Sequence, residues 1–552
     1  MKPLATLLFM IAVMGLLAIL MTIFPKEGIS VSKDLTLQFP RLSEWWRDDG
    51  LPQNSSSGNA FIPDLVEEDR QDGAVVVFDT VVNIQTTETL QVADMSVVPT
   101  FDSSVYNFKP RPINVEEIRQ PLELPASGIG CLKNLFDALT NPNELAKVVR
   151  ILHYGDSQIE ADRISGYLRY KFQQQFGGSG PGLIPAKTAY DYKAPCEVIC
   201  TGNWQRYTIF PFIDTAVHHS KYGALAAFGK FSPIVNLPPK EEPKLSPQIS
   251  QPSDSDSAAV ASADSVAIPK IPDYVPPKPA VPEKIYHASL DFVPFKYGYG
   301  NSKTIKRVRM FYGNHTKPCS VRVMDGEHIL YADSLMPNDF YAVKTWNFAQ
   351  TPENFRMEFA GADSPEFYAF AMDGLSGVAV DNVALRGCSG TIFVKMNGVH
   401  LGSMYRDLNV KCIILQFGGN AIPGLNEDNV GAFNNYFVAQ IRFLRRICPG
   451  VSIIVIGPAD MSIKVEDRYE TYPILPTVVE LLKSAALQND CAYWDMYEAM
   501  GGLNTMPDWV FHDPPLAEKD FVHFNPAGAN AIAKMFYNAL ITRYNEYIAA
   551  RK

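Results

Sequence analysis

The chain has 552 residues, of which 47% are hydrophobic, and a formal net charge of −10. That length supports two or three domains with hydrophobic cores. The negative charge, and the lack of a basic stretch with interleaved aromatic residues, argue against a nucleic-acid partner. Eight cysteines stand at scattered positions, so no disulfide framework is predicted, although Cys196 and Cys200 could either pair or remain free thiols.

The N-terminus carries an apolar segment. Leu4–Phe24 contains no charged residue and follows Lys2, and a helix of that length spans about 31 Å, enough for a bilayer core. No small-residue cleavage site precedes Pro25, so an uncleaved membrane anchor over residues 1–29 is favoured, with a cleaved signal peptide as the alternative. Both interpretations place the bulk of the protein outside the cytoplasm, in the periplasm or at the cell surface.

Residues 30–127 have a different character. Polar runs such as Asn54–Asn59 alternate with short β-like pieces such as Ala74–Phe78. Frequent Gly, Pro and Ser residues are typical of a stalk or a loosely ordered arm. No chemistry is predicted for this segment.

A strand and a helix meet at Gly155-Asp156-Ser157. The apolar run Val148–Tyr154 predicts a buried strand, and apolar residues at helical spacing from Ile159 to Phe176 predict a helix. Ser157 would then lie at the carboxyl end of a strand and at a helix N-terminus, which favours developing negative charge. Ser157 is therefore a candidate nucleophile, and an Asp/Ser helix cap is the alternative.

The first part of the predicted α/β core covers residues 128–185. It opens with a helical pattern over Gly128–Leu145 and closes with the glycine-rich stretch Phe176–Gly182. That stretch lacks a Gly-Lys-Ser/Thr ending and follows a helix rather than a strand. It therefore predicts a turn, not a phosphate loop.

Residues 186–374 show short aromatic or β-branched runs bounded by Gly, Asn and Pro, which predict an inserted β-sandwich. The runs are Val198–Phe212, Ser289–Tyr297, Lys306–Tyr312, Ser320–Val323 and Phe355–Phe359. Their aromatic residues could line a sugar-binding face, but an inward-facing core is the better expectation. Within this insertion, Leu237–Pro282 is rich in Pro, Ser, Lys and Asp, a composition that predicts a disordered loop.

The α/β pattern resumes over residues 375–552. Val410–Gln416 predicts another buried strand, and it leads to Gly418-Gly419-Asn420, whose asparagine could donate an N–H to an oxyanion. Further helices and strands alternate at Phe433–Ile447, Val451–Gly457, Val478–Gln488 and Cys491–Asp495. This alternation predicts a doubly wound parallel sheet.

A histidine with a nearby carboxylate follows near the C-terminus. Asp520 and His523 stand three residues apart, just before the helical pattern Ala529–Tyr544. At that spacing the carboxylate can hold the imidazole while the other ring nitrogen faces a serine brought in by the fold. Ser157, Asp520 and His523 are thus candidates for a catalytic triad.

Two other short motifs that contain histidine are weaker candidates for a functional site. His512-Asp513 has the reverse order and no helix after it, so it ranks behind His523 as the base. His218-His219 lacks the helical His-Glu-x-x-His context of a zinc site, so no metal is predicted.

Together these motifs resemble the SGNH (GDSL-type) hydrolases over residues 130–185 and 375–545. The first, third and fifth blocks of that family correspond to Gly155-Asp156-Ser157, Gly418-Gly419-Asn420 and Asp520–His523. The glycine of the second block corresponds to Gly387, with Gly390 as a competitor. Gln158 replaces the usual leucine after the serine and is not expected to take part in the chemistry.

The resemblance implies a fold, a site and a reaction. The fold is α/β, an SGNH hydrolase core with a doubly wound parallel sheet, here with an inserted β-sandwich and an N-terminal transmembrane anchor. The implied triad is Ser157, Asp520 and His523, and the implied oxyanion hole consists of Ser157, Gly387 and Asn420. No cofactor or metal is implied.

A β insertion at this place also resembles the arrangement of peptidoglycan O-acetylesterases of the same clan. It implies a serine esterase that removes acetyl groups from a cell-envelope glycan, most plausibly peptidoglycan, through an acyl-serine intermediate. One alternative is an O-acetyltransferase with the same triad. Another is a non-catalytic, membrane-tethered glycan-binding or assembly protein. The sequence leaves the oligomeric state open.

Overall fold

A computed structural model describes residues 29–32, 35–37, 110–234 and 284–551. The chain divides into two units, Met1–Asn59 and Ala60–Lys552. In the first unit, Ile29–Ser32 and Leu35–Leu37 form an antiparallel hairpin. None of the helices in the described ranges is long and apolar enough to cross a membrane, and the predicted anchor, residues 4–24, lies outside those ranges.

The described residues contain strands and α-helices, numbered separately in chain order. The strands are β1 (Ile29–Ser32), β2 (Leu35–Leu37), β3 (Val148–Gly155), β4 (Gly182–Ile184), β5 (Cys196–Thr201), β6 (Gln205–Thr208), β7 (Ala227–Lys230), β8 (Tyr286–Pro294), β9 (Arg307–Gly313), β10 (Cys319–Asp325), β11 (His328–Leu335), β12 (Ala342–Asn347), β13 (Phe355–Gly361), β14 (Glu366–Asp373), β15 (Gly377–Ala384), β16 (Val410–Gln416), β17 (Ser452–Ile456), β18 (Ser462–Val465), β19 (Arg468–Thr471) and β20 (Ala492–Trp494). The α-helices are α1 (Lys133–Thr140), α2 (Pro142–Leu145), α3 (Ser165–Phe176), α4 (Gly398–Asp407), α5 (Val430–Ile447), α6 (Leu475–Gln488), α7 (Met496–Met500), α8 (Met506–Val510) and α9 (Pro526–Ala549).

The core is a five-stranded parallel sheet in the order β15-β3-β16-β17-β20. Counted along the chain, this is the order 2-1-3-4-5, in which successive connections leave the first strand in opposite directions. The predicted doubly wound parallel sheet is therefore confirmed.

Both faces of this sheet are covered, which explains why its strands are apolar without alternation. Along β3, Leu152 and Tyr154 pack in one hydrophobic cluster with α4, α5 and α6. Val149 and Ile151 point the other way, into a cluster with α1, α3 and α9. Each such buried aliphatic side chain contributes about 1.5–3 kcal/mol.

The insertion consists of two antiparallel sheets. One has the order β11-β10-β13-β8-β5, and the other has the order β12-β9-β14-β7-β6, with β4 paired to β14. Aromatic and aliphatic side chains, Trp204, Phe292, Phe359 and Phe370 among them, fill the layer between them. The predicted β-sandwich is present. Because β4 belongs to it, the antiparallel strands begin at residue 182, before the boundary predicted at residue 186.

The strand β14 is buried along its whole length. Phe367 and Phe370 contribute to the interior of the sandwich, whereas Tyr368 and Ala371 pack into the cluster of the α/β core. At β14 the second sheet therefore has protein on both faces, and the insertion contacts the core through this strand.

The glycine-rich stretch after α3, predicted to be a turn, is an irregular connection that bends at Gly180 and leads into β4 at this junction. Gly178 has φ +117°, and a Cβ there would lie 2.5 Å from the carbonyl oxygen of Val378 in β15. Only glycine allows the two backbones to approach so closely.

Residues 110–127 correct the predicted extent of the stalk. Leu122 is fully buried in the α/β core, and Glu123 exchanges backbone hydrogen bonds of 2.8 and 3.0 Å with Tyr493 of β20. Asn114 donates its backbone N–H to the side chain of Asn538 in α9 at 2.8 Å. This part of the predicted stalk therefore belongs to the core. Residues 38–109 and the predicted loop 237–282 lie outside the described residues.

The cysteines are free thiols. Cys196 and Cys200 stand on the same strand, β5, four residues apart, which separates their Cα atoms by about 13 Å. Disulfides need Cα atoms within about 7 Å. The two therefore do not pair.

Candidate active site

Ser157 begins the 3-10 turn Ser157–Asp162, directly after β3. Asp156 caps this turn, because its Oδ1 accepts the backbone N–H of Gln158 at 2.9 Å. The neighbouring strands β3 and β16 form the topological switch point of the sheet, the place where open α/β sheets bind ligands. The sequence thus places Ser157 where a crevice is expected.

Three side chains predicted from distant parts of the sequence form a hydrogen-bonded chain. Ser157 Oγ lies 2.8 Å from Nε2 of His523. His523 Nδ1 lies 2.7 Å from Oδ2 of Asp520, whose Oδ1 also accepts the His523 backbone N–H at 3.0 Å. The carboxylate therefore holds both the ring and the backbone of His523, and the other ring nitrogen faces the serine.

The turn that carries His523 contains a residue in an unfavourable conformation. Phe521 has φ +59°, the left-handed region, which costs about 1–2 kcal/mol for a residue with a Cβ. Its ring stacks on Tyr469 of β19, with centroids 3.6 Å apart, and its carbonyl accepts the N–H of Ser462 at 3.0 Å. Contacts from the β18–β19 hairpin thus support the turn.

The electrostatics of Asp520 suit a permanently ionised partner for histidine. Burial alone would raise the pKa of Asp520, but the hydrogen bonds from the His523 side chain, the His523 N–H and the Val522 N–H outweigh it and lower that pKa. The carboxylate is therefore ionised at neutral pH and can stabilise a positive charge on the imidazole.

Asn420 and Asp156 form a second pair in the site. Asn420 stands in the turn after β16 and donates Nδ2 to Asp156 Oδ2 at 2.9 Å. The same nitrogen lies 3.5 Å from the carbonyl oxygen of Cys388, so its second N–H has only a long contact. Burial raises the pKa of Asp156 to about 6, although hydrogen bonds from Gln158 and Asn420 and the charge of His523 oppose the rise.

The two candidate glycines after β15 differ in their surroundings. Gly387 has φ +80°, and a Cβ there would meet nothing nearer than the Phe210 ring at 3.9 Å. Gly390 would instead place a Cβ 2.8 Å from the Phe417 ring, and its N–H donates to Sγ of Cys388 at 3.3 Å. Gly390 therefore serves packing, and Gly387 is the glycine beside open space.

A cleft of about 250 Å³ opens over these groups. Ser157, His523, Asn420 and Asp156 line its polar side. Its apolar side is formed by Pro458, Ala459, Met461, Tyr472 and Met496. This volume is smaller than the roughly 300–1,000 Å³ of a pocket for a drug-sized ligand.

The competing histidine does not meet the serine. His512 is exposed, and its Nδ1 lies 2.8 Å from the carbonyl oxygen of Pro514. Of the histidines proposed from the sequence, His523 is the one that the fold brings to Ser157.

Sequence reasoning missed several contacts around the site. Asp156 was predicted only as an alternative helix cap, yet its second oxygen holds Asn420. Gln158 was expected to be remote from the chemistry, yet its side chain contacts the His523 turn. Buried Glu160 holds Arg386, the neighbour of Gly387, through hydrogen bonds of 2.7 and 2.6 Å. Their one common signal is sequence proximity to Ser157 or Gly387.

Solved esterase structures are similar to this chain to different degrees. A peptidoglycan O-acetylesterase is 17% identical, with a TM-score of 0.51 over 76% of this chain and 96% of its own. Two further esterases are more distant. An acetyl xylan esterase is 16% identical, with a TM-score of 0.24 over 30% of this chain and 81% of its own. A family two carbohydrate esterase from Cellvibrio japonicus is 10% identical, with a TM-score of 0.22 over 48% of this chain and 92% of its own.

No protein-family model and no curated protein sequence matches the chain. The resemblance predicted from the motifs is nevertheless confirmed for the fold, because the first of these structures spans most of both chains. The chain has an SGNH/GDSL esterase-like fold.

Proposed function

We propose that this protein is a serine esterase that removes acetyl groups from a cell-envelope glycan, namely peptidoglycan. The observation that carries the proposal is the continuous hydrogen-bonded chain from Ser157 through His523 to Asp520, of which Ser157 and His523 line the cleft. A serine alcohol is a weak nucleophile unless an adjacent base accepts its proton, and this geometry supplies the base and its orienting carboxylate.

The proposed reaction proceeds through an acyl-serine. Ser157 Oγ attacks the ester carbonyl carbon while His523 Nε2 takes the hydroxyl proton, and Asp520 stabilises the imidazolium. The tetrahedral intermediate collapses as His523 gives the proton to the departing sugar oxygen. Water then attacks the acetyl carbonyl, with His523 again as the base, and acetate leaves with Ser157 restored.

The negative oxygen of the intermediate needs donors fixed in advance. The backbone N–H of Ser157 at the start of its turn, the backbone N–H of Gly387 and the second N–H of Asn420 are the proposed donors. Asp156 supports this role, because it accepts a hydrogen bond from the Asn420 amide and so fixes its orientation.

The substrate class rests on the size of the cleft and on the related fold. A cleft of about 250 Å³ has room for a small acyl group and part of a sugar ring. The solved peptidoglycan O-acetylesterase with this fold supports an acetylated envelope glycan. An anchor at residues 4–24 would hold the enzyme at the membrane with the site outside the cytoplasm, next to such a glycan.

The test is acetate release by full-length protein from purified O-acetylated peptidoglycan, with Ser157→Ala as the blank. Acetate release by the wild type but not by Ser157→Ala supports the proposal. If acetyl groups instead move to an added glycan acceptor without net release, the protein is a transferase. If neither reaction occurs and p-nitrophenyl acetate is also untouched, the non-catalytic alternative holds.

A further inference from the structure

The turn that begins with Ser157 also contacts the turn that carries His523. The Gln158 side-chain amide donates Nε2 to the carbonyl oxygen of Val522 at 2.6 Å. Its Oε1 accepts the backbone N–H of Phe524 at 3.4 Å. Val522 and Phe524 are the immediate neighbours of His523, so one amide contacts the backbone on both sides of the histidine.

The side chain of Arg163, the residue that follows this turn, reinforces the contact. Arg163 donates Nη1 to the carbonyl oxygen of Phe524 at 3.1 Å, and its Nε to the carbonyl oxygen of Glu160 at 3.0 Å. The segment 158–163 therefore approaches the histidine turn through side chains. A leucine at position 158 could make neither of the amide's hydrogen bonds.

The histidine turn needs support from outside itself, and the β18–β19 hairpin supplies part of it. Phe521 holds a left-handed conformation, which an isolated turn would tend to leave. Asp520 fixes the ring of His523 from within the turn, but it does not fix the turn relative to Ser157. A shift of about 1 Å between nucleophile and base is enough to cost roughly 100-fold in rate.

We infer that Gln158 is a positioning residue that sets the distance between Ser157 and His523. This inference rests on the proposed function only in that Ser157 and His523 must be the reacting pair. The SGNH pattern has a leucine at this position, and the inference gives the glutamine found here the role of holding the histidine turn. Gln158 acts through His523.

The test compares Gln158→Met, which keeps side-chain length but loses both hydrogen bonds, with the wild type as full-length protein. We expect kcat for p-nitrophenyl acetate to fall about 10-fold to 100-fold, with KM changed by less than about 3-fold, since the cleft keeps its walls. The rate at which phenylmethylsulfonyl fluoride inactivates Ser157 should fall in the same proportion.

Two further variants sharpen the comparison. Gln158→Glu keeps an acceptor for the Phe524 N–H but loses the donor to the Val522 oxygen, so it should be as impaired as Gln158→Met. Gln488, whose side chain bonds Ser484 on the surface of α6, provides the matched control. Gln488→Met should keep wild-type kcat and inactivation rate.

The outcomes separate this inference from the proposed function. A folded Gln158→Met protein with wild-type kcat and wild-type inactivation rate overturns the positioning role. So does a loss that thermal denaturation explains entirely by a smaller folded fraction. If the wild type itself neither turns over the ester nor reacts with the sulfonyl fluoride, the proposed function fails first.

Discussion

Ser157 and His523 are joined by one hydrogen bond and are proposed to act as one catalytic unit, so their variants should not have additive effects. Ser157→Ala and His523→Ala should each reduce ester turnover to the background rate. The double variant should be scarcely worse than either single variant, because residues that act as a unit are not additive. The measurement is kcat for p-nitrophenyl acetate, with folding checked by circular dichroism.

Exposed residues of the same types serve as controls for that comparison. Ser320 and His328 are exposed residues of the insertion, and Ser320→Ala and His328→Ala should retain full activity. A well-folded Ser157→Ala protein with most of its activity would exclude Ser157 as the nucleophile.

Asn420 should behave differently, because it is proposed to stabilise charge rather than to react. Asn420→Ala should lower kcat by roughly 100-fold to 1,000-fold, the usual cost of one oxyanion donor. Ser157 should still be acylated, so mass spectrometry of the protein during turnover should detect the acetyl adduct. Activity within 3-fold or so of wild type would remove Asn420 from the proposed oxyanion hole.

Asp156 links the site to pH-dependent stability. Its pKa is raised from 3.8 to about 6 in the folded protein, so the folded state binds this proton more tightly than the unfolded chain. The stabilising contribution is therefore complete below pH 3.8 and is lost as the pH rises through 6. By pH 8 the buried carboxylate costs about 3 kcal/mol.

Asp156→Asn should remove that cost. The difference in the free energy of unfolding, variant minus wild type, should be about 2 kcal/mol larger at pH 8 than at pH 4, measured by urea denaturation. Asp428→Asn changes an exposed carboxylate and should show no such difference. An equal effect of Asp156→Asn at both pH values would contradict the prediction.

At the scale of elements, a buried ion cluster joins the core to the insertion. Arg150 of β3 is fully buried and donates Nη1 to both oxygens of Asp381 in β15, at 2.7 and 2.8 Å. Its Nη2 pairs with Asp373, the last residue of β14. One guanidinium thus connects two strands of the parallel sheet with one strand of the sandwich.

Removing that guanidinium takes away the cation nearest to both buried carboxylates. Asp381 then keeps only the backbone N–H of Leu183 at 2.8 Å, and Asp373 keeps the more distant Arg309 at 3.9 Å. Arg150→Ala should lower the free energy of unfolding by about 3–5 kcal/mol. The surface pair Arg322–Glu358, 2.6 Å apart on the outer sheet, is the matched control, and Arg322→Ala should cost less than about 1 kcal/mol. Urea denaturation of both variants checks the contrast, which similar losses would refute.

Elements with a continuous aliphatic run or a helical period were predictable, whereas β14 and residues 110–127 were not. The strand β3 and helices α5, α6 and α9 follow from apolar runs and helical spacing, to within a few residues at their ends. The strand β14 was missed, because its buried run of aromatic residues, alanines and a methionine has no alternation and lacks the β-branched residues that mark β3 as a strand. Residues 110–127 were assigned to the stalk, since short segments that pack by tertiary contact carry little local signal.

At the scale of the whole molecule, some residues of the site were predictable from the sequence and others were not. Ser157, Asn420 and His523 each follow a recognisable strand or precede a recognisable helix, so the sequence alone indicated that they meet. Gln158 and Arg386 act through loops that are distant in sequence, and such contacts depend on the finished fold. They could be found only in three dimensions.

Residues 237–282 connect β7 of one sheet to β8 of the other along the chain. The flanking strands are fixed independently of this segment: β7 pairs with β6 and β14, and β8 pairs with β5 and β13. Residues 237–282 lie outside the described residues, and their composition predicts that they bury little apolar surface.

Replacing residues 237–282 with a Gly/Ser linker of about 12 residues, which reaches about 20 Å, should leave the full chain folded. Loop-closure entropy changes by only about 1 kcal/mol between the two lengths, so Tm should shift by no more than a few degrees. Turnover of p-nitrophenyl acetate should stay near wild type, because the proposed triad lies in the α/β core. Calorimetry and kcat measure the two effects, and a large fall in Tm would show that the segment is part of the sandwich.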